Sequence, residues 1–427
     1  MTSYIPIFLL IVLALFGMPL FAVIVAGAML GFHYSGVDLM AVAIELYRIA
    51  DTPILLALPL FTTAGYILGE TNTSRRLVRL TKAFLGWMPN GLAIVSFVTC
   101  ALFTAFTGAS GVTIVALGAL LYPALVESGY KKDFSLGLVT TSGSLGLLFP
   151  PSVPLIIYGI IAQQMDVGRS VTITGLFLAG ILPGLLMVAV LSIYSLWTNR
   201  NSPLPLTGFS WPEAKSAVRE AIWEIPLPIF LLAGIYGGYF AISEAAAVTA
   251  LYVVIVEVFV YKEIKPSKLP AVLRDSMVMV GGVLLILGVA LAFTNFLIDV
   301  QVPMKLFEIM QARVTSKFVF LILLNILLLV LGAILDIFSA LVIMVPLILP
   351  VAVSYGIDPV HLGVIFLANM QIGYFTPPVG MNLFIASYRF DKPVTELYRA
   401  SAPFMFVLLF AVLVITYWPA LSLVFLK

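Results

Sequence analysis

Residues 140–158, TTSGSLGLLFPPSVPLIIY, begin and end as an apolar helix, yet Gly143, Gly146, Pro150 and Pro151 interrupt them near the middle. Two adjacent prolines remove two backbone donors and leave carbonyls about a turn upstream without partners. In lipid such a break survives only where it is buried in protein or binds something. A second break of the same kind lies at residues 369–382, NMQIGYFTPPVGMN. The two are in register: Pro150 and Pro151 precede Pro377 and Pro378 by 227 residues, and Gly146 precedes Gly373 by the same interval. Gly129 with Gly356 and Pro123 with Pro350 keep that offset without a gap. Matched broken helices in two halves of one chain predict a secondary transporter's binding site at the breaks.

Composition sets the class. Apolar residues make up 62% of the chain and charged residues 10%, with a mean hydropathy of +1.15. A soluble domain carries about 25% charged residues, so these values describe one polytopic membrane bundle. A net charge of +2 does not suit nucleic acid as a partner. The single cysteine, Cys100, excludes an internal disulfide, and two histidines cannot build a metal cluster with it. The first basic residue is Arg48, so the start lacks the positive region of a cleavable signal, and a retained first helix is expected.

Apolar runs predict membrane segments at 4–31, 53–70, 134–164, 170–198, 225–241, 243–262, 277–298, 359–388 and 401–425. Residues 91–106 and 112–127 flank a small-residue tip, Thr107-Gly108-Ala109-Ser110-Gly111, and 317–331 and 337–353 flank Gly332-Ala333-Ile334-Leu335-Asp336. Arms of this length rise roughly 24 Å as helices, somewhat less than a span, so both pairs are predicted as re-entrant hairpins whose tips meet the breaks.

With a cytoplasmic N-terminus, the inner loops hold 16 of the 22 Lys and Arg: Arg75, Arg76, Arg79, Lys82, Lys131, Lys132, Arg200, Lys215, Arg219, Lys262, Lys265, Lys268, Arg274, Arg389, Lys392 and Arg399. The outer side holds the other 6, Arg48, Arg169, Lys305, Arg313, Lys317 and Lys427. That asymmetry supports the orientation. Segment 225–241 is then an extra crossing that inverts the second half, and the C-terminus is periplasmic. Three amphipathic stretches, 38–50, 73–88 and 302–313, fit either juxtamembrane anchors in contact with lipid or arms bracing a static part. In the second of them, Arg75, Arg76, Arg79 and Lys82 are expected to face headgroups. Residues 199–222, with Pro203, Pro205 and Pro212, read as the linker between halves.

Polar side chains within such segments are costly and mark function. The concentrated ones are Ser110 and Thr113 at the first tip, then Thr140, Thr141, Ser142, Ser144 and Ser152 along the first break. The second half offers Asp336, Ser339, Asn369, Gln371, Thr376 and Asn382. Hydroxyls, amides and freed carbonyls are hard oxygen ligands suited to a small alkali cation. No lysine or arginine lies among them, so a carboxylate substrate would be held by helix N-termini and hydroxyls, aided by the bound cation. Ser142, Asp336, Asn369 and Asn382 are the candidates for touching that substrate. Asp336 equally suits an N-cap for the helix that follows it. Gly27, Gly31, Gly234 and Gly238 read as packing positions, Glu244 as the start of a helix, and His361 as a residue near the outer interface.

The run Gly143–Pro154 resembles a signature of the large membrane subunit of tripartite ATP-independent periplasmic (TRAP) transporters. Ser243-Glu244-Ala245-Ala246-Ala247-Val248, Leu335-Asp336 with Pro346 and Pro350, and Thr376–Phe384 are similar to that family as well. The resemblance implies an all-α inverted-repeat transporter of the elevator type in the bacterial inner membrane, driving uptake of organic acids with Na+. It implies delivery by a periplasmic substrate-binding protein and a small four-helix membrane subunit, expected as a separate chain. It also implies one sodium site per half, at hairpin tip plus break. Gly332, Gly373, Thr376 and Val379 would form the second, and Ser110, Ser144, Gly146 and Ser152 the first. The first tip departs from the family at Gly111, where a serine is common.

Four parts are therefore expected. Residues 1–90 and 199–316 form the scaffold with its arms, and 91–198 and 317–427 form the two halves of the transport domain. The alternative is a stand-alone organic-anion carrier of similar architecture that needs no partner subunits. An intramembrane enzyme is disfavoured, because His33 and His361 both fall toward the outer edge and no His-x-x-x-His is present.

Overall fold

A computed structural model describes residues 4–48, 52–165, 168, 170–201 and 208–426. Pro203 and Pro205 of the linker, and Arg169 and Lys427 of the outer charge set, lie outside the described residues. All regular structure among the described residues is helical. Seven helices among them are long and apolar enough to cross a bilayer, or up to nine if each bent pair is one span.

The repeat expected from sequence is present in the backbone. The second arms of the two hairpins, Ser110–Glu127 and Ile337–Ser354, are both 18 residues long and start 227 residues apart. Their ends close alike: Tyr130 N donates to Leu125 O at 3.1 Å, and Ile357 N donates to Ala352 O at 3.0 Å. Gly129 and Gly356 supply the left-handed residue each of these closures requires, with φ of 92° and 73°. The turns into the tips also match, Gly108 N to Thr104 O at 2.8 Å and Leu335 N to Leu331 O at 2.7 Å. Each broken helix has a cis proline at its second Pro. The first runs Lys132–Ser142, a short 3-10 turn, then Val153–Gln163, bent by 40°. The second runs Pro359–Gly373 and resumes at Met381–Phe390.

The two halves exchange partners. Ile173–Thr198 packs on Pro359–Gly373, and Val394–Tyr417 packs on Lys132–Ser142. The second arm of the first hairpin packs on Met381–Phe390, and that of the second hairpin on Val153–Gln163. In lipid this association depends on close packing rather than on escape from water. Gly363 accordingly faces the ring of buried Tyr158, where an added Cβ would come within 2.6 Å. The largest core unites both halves through residues such as Phe97, Tyr158, Phe366 and Phe404, and it extends into 1–90 and 199–316 through residues such as Phe61 and Leu287. The buried members of two smaller cores lie within 28–68 and 227–292, with Phe106 of the first hairpin packed against one of them. There Leu269–Asp299 packs on Leu20–Ser35 and Ala57–Gly69.

Several expectations need correction. The first segment is two helices, Tyr4–Leu15 and Leu20–Ser35, parted at Gly17, whose φ is 89°, and Pro19. Segment 225–241 contains a helix of only 11 residues, Pro226–Tyr236, about 16 Å long and short for a crossing. The last span starts earlier than expected, running Val394–Tyr417. Part of the linker folds: Trp211–Glu220 is a helix, capped by Ser210 and packed on the arm helix Thr73–Leu85. Gly27, Gly31 and Gly234 are packing positions, each facing an aromatic ring, whereas Gly238 is a turn residue at φ 71° with nothing close to it.

The arm helix also differs. Arg75 and Lys82 are exposed, but Arg76 is only 4% exposed and turns inward. It pairs with Glu224, Glu257 and Glu263, and lies 3.9 Å from the centre of the Tyr261 ring. Arg79 pairs with Glu213 and Glu220 of the linker helix. Protein carboxylates rather than headgroups hold these two arginines. Burial alone would raise the Glu263 carboxyl, but the Asn72 backbone N–H and Arg76 outweigh it and hold the group below its usual range.

Candidate functional site

At the first tip, Gly108 adopts φ 65° and the chain re-enters a helix at Ser110. Ser110 Oγ donates to Asn382 Oδ1 at 2.8 Å, and Asn382 Nδ2 donates to Thr140 O at 3.4 Å. One tip, its own break and the opposite break thus meet at Asn382, which is fully buried. Beside it, Thr104 and Thr113 hydroxyls lie 2.6 Å apart, and Thr104 donates to Gly143 O at 2.8 Å. Thr104 was missed in the sequence, although it is the same kind of signal: a buried hydroxyl one turn before a tip.

At the second tip the contact is backbone on backbone. A Cβ on Gly332 would come within 3.0 Å of Gly373 Cα, and the reverse addition would fall closer still. Gly380 N donates to Ala333 O at 2.9 Å, tying the far side of the break to the tip. Gly380 has φ 53°, and a Cβ there would lie 2.8 Å from Thr376 O and 3.1 Å from Tyr374 O. A Leu383 methyl would lie closer still, at 2.6 Å, so no side chain fits there, and Tyr374 O already accepts from Asn382 N at 2.8 Å. Thr376 Oγ1 donates back to Ile372 O at 2.8 Å, while Val379 is 41% exposed.

Ser144 Oγ donates to Gln371 O at 2.9 Å, and these residues are 227 apart. The repeat equates these two positions, so this bond joins the two breaks at matching places. Ser152 instead accepts from Leu155 N and donates to Leu147 O, closing its own break. Gly146 packs against Ala105 N and Ala101 O of the first arm. Ser110, Ser144 and Ser152 therefore hold separate partners; Ser110 and Ser144 reach across to the second half's break, at Asn382 and Gln371, and Ser152 does not.

Among the substrate candidates, Ser142 is buried beside Cys100. Asp336 caps the second arm, its Oδ1 accepting from Phe338 N and Ser339 N at 3.0 Å each, with Ser339 Oγ on the other oxygen. Asn369 Nδ2 donates to Asn325 Oδ1 at 2.6 Å and Ile365 O at 2.8 Å, leaving its own Oδ1 buried without a partner. Asn325 was not singled out from sequence. His361 is buried, between Ser422 Oγ at 3.1 Å and Thr416 O at 3.2 Å. Glu244 does start its helix, accepting from Ala241 N at 2.8 Å.

The family model for the tripartite ATP-independent periplasmic transporter, DctM component, matches residues 7–421. The chain belongs to that family. It is 36% identical to the C4-dicarboxylate TRAP transporter large permease protein DctM of Rhodobacter capsulatus, over 97% of this chain and 96% of that one. It is 34% identical to the isethionate TRAP transporter permease protein DctMQ of Oleidesulfovibrio alaskensis, over 96% of this chain and 62% of that longer one. The crystal structure of the Alcanivorax borkumensis YdaH transporter shares its fold, with a TM-score of 0.62 over 86% of this chain and 85% of that one, at 15% identity. This TRAP permease is thus a multi-pass membrane transporter subunit, not an enzyme.

Proposed function

We propose that this permease drives sodium-coupled uptake of a small organic acid across the bacterial inner membrane, with its N-terminus cytoplasmic and its C-terminus periplasmic. The observation that carries the reading is the pair of tip–break junctions on either side of the Ser144–Gln371 bond. Both present hydroxyl, amide or carbonyl oxygens and no fixed cation, a donor set that fits Na+ as cargo. At the second junction the carbonyls of Tyr374 and Thr376 lie beside Gly380, close to Gly332 and Gly373. At the first, Ser110, Asn382, Thr104 and Thr113 supply side-chain oxygens, with Ser144 and Gly146 in the adjoining break. The cation would supply positive charge beside the substrate, and Asn382, Ser142 and Asn369 would orient the acid. Asp336 would hold the second tip in shape.

The relatives' names give C4-dicarboxylate and isethionate, both small anions, which supports a small anionic cargo. The tripartite family name and the fused DctMQ relative support a periplasmic binding protein and a small membrane subunit as partners. The exchanged helix packing of the two halves supports movement of 91–198 and 317–427 as one body. The two small cores of the remaining parts would then form the static side of an elevator.

The test is uptake by the permease reconstituted with its small subunit and binding protein. Accumulation of the acid should require an inward sodium gradient and stop when sodium is collapsed with an ionophore. Uptake driven equally well by a proton gradient without sodium would overturn the coupling.

A further inference from the structure

A surface cleft in two connected parts runs between the turn at Gly69–Asn72 and the first hairpin's second arm. The part nearer the tip, about 350 Å3, is walled by Tyr66, Glu70, Gly111, Val112 and Ile385. The outer part, about 430 Å3, is walled by Glu70, Arg75, Ala119, Glu263 and Arg389. Gly69, Glu70, Val115 and Ala116 line both, which joins them.

One wall belongs to residues 66–75, the other to the hairpin arm and the helix Met381–Phe390. Along that helix Asn382, Ile385 and Arg389 fall at i, i+3 and i+7, on one face. Asn382 is fully buried beyond the inner part, bonded to Ser110 and Thr140, and Gly111, next to Ser110, lines that inner part. Arg389 lies at the outer end, where its Nε donates to Val115 O at 3.2 Å. A guanidinium has five N–H donors, so most of this one is available to the cleft. Neither Arg389 nor Glu70 has an ion-pair partner among the described residues, although Glu263, across the same space, is held by Arg76. The helix that bears Asn382 therefore also carries a free cation to the mouth of the cleft, opposite a free carboxylate.

We propose that this cleft is the substrate's passage between the tip–break site and the face bearing the arm helix, and that Arg389 is its specificity-determining residue, receiving the organic anion's acidic group. The idea rests on the anion-transport reading above. Glu70 on the facing wall attracts Arg389 when the cleft is empty and repels anions that Arg389 does not take up. A fixed charge in a narrow cleft with apolar walls raises the local concentration of the opposite sign and excludes its own.

The test needs no knowledge of the substrate. In the full chain with Cys100→Ser, Ala116→Cys provides a single thiol in the section the two parts share. A sulfonate-bearing thiosulfonate and a trimethylammonium-bearing one are applied separately to the arm-helix face, and their labelling rates are compared. Arg389→Gln should lower the anion-to-cation rate ratio about tenfold, Arg389→Lys should preserve it, and Glu70→Gln should raise it. A thiol that does not label from that face, or a ratio unmoved by Arg389→Gln, overturns the proposal. Sodium-driven uptake is scored separately on the protein without these changes. A charge-dependent ratio with no sodium-driven uptake would therefore sink the functional reading and spare the cleft, and the converse would do the reverse.

Discussion

Gly373 is glycine because the backbone of Gly332 occupies the place its Cβ would take. Gly373→Ala must part the second tip from its break, and overpacking against rigid backbone costs typically about 1–3 kcal/mol. The melting temperature in detergent should fall, and sodium should stabilise the variant less than the wild type. Gly281, inside the long helix Leu269–Asp299, has nothing within 4 Å of a built Cβ. Gly281→Ala should instead raise stability by up to about 1 kcal/mol through helix propensity. If both variants melted like the wild type, the tight tip–break contact would be wrong. At this scale the glycines and prolines of the breaks were legible, because a broken helix in lipid has few explanations. The Ser110–Asn382 bond was not, since it joins residues 272 apart across the repeat, and periodicity carries no signal of that kind.

The arm helix shows the same limit for a whole element. Its amphipathic period was legible in Arg75, Arg76, Arg79 and Lys82, but the period does not say whether the charged face meets headgroups or protein. The answer lies in Glu224, Glu257 and Glu263, 148 to 187 positions away. Removing Arg76 would strand three carboxylates around a buried site. Arg76→Ala should therefore destabilise the permease by about 3 kcal/mol or more, whereas Arg79→Gln, on exposed pairs, should change little. The Glu263 contribution depends on its charge: it is fully present above the ordinary carboxylate range and is lost as pH falls through its lowered folded value. Hydrogen exchange of residues 73–85 reports both effects. Protection should be lost in Arg76→Ala at neutral pH, and in the wild type only at pH values below the ordinary carboxylate range. Unchanged protection in Arg76→Ala would remove the clamp from the account.

Across the whole molecule, the repeat was legible because proline and glycine fixed its register without a gap, and the backbone keeps that register in its caps and turns. The split of the first segment was not, because Gly17 and Pro19 sit in a run that stays apolar throughout. The exchange of partners between halves was also out of reach, since hydropathy gives spans and not their neighbours. What the assembled molecule adds is that two junctions of tip and break lie on either side of the Ser144–Gln371 bond, so a cation at either would tie a tip to a break. The most direct measurement is therefore the thermal stability of the purified permease in sodium against potassium at equal ionic strength, for wild type, Ser110→Ala and Thr376→Val. A ligand bound only by the folded state stabilises by about 2.7 kcal/mol at a hundredfold excess over its Kd. Sodium should raise the melting temperature of the wild type well above its value in potassium, and each variant should lose part of that rise. Equal melting in the two cations, or a sodium effect that neither variant reduces, would contradict cation binding at these junctions.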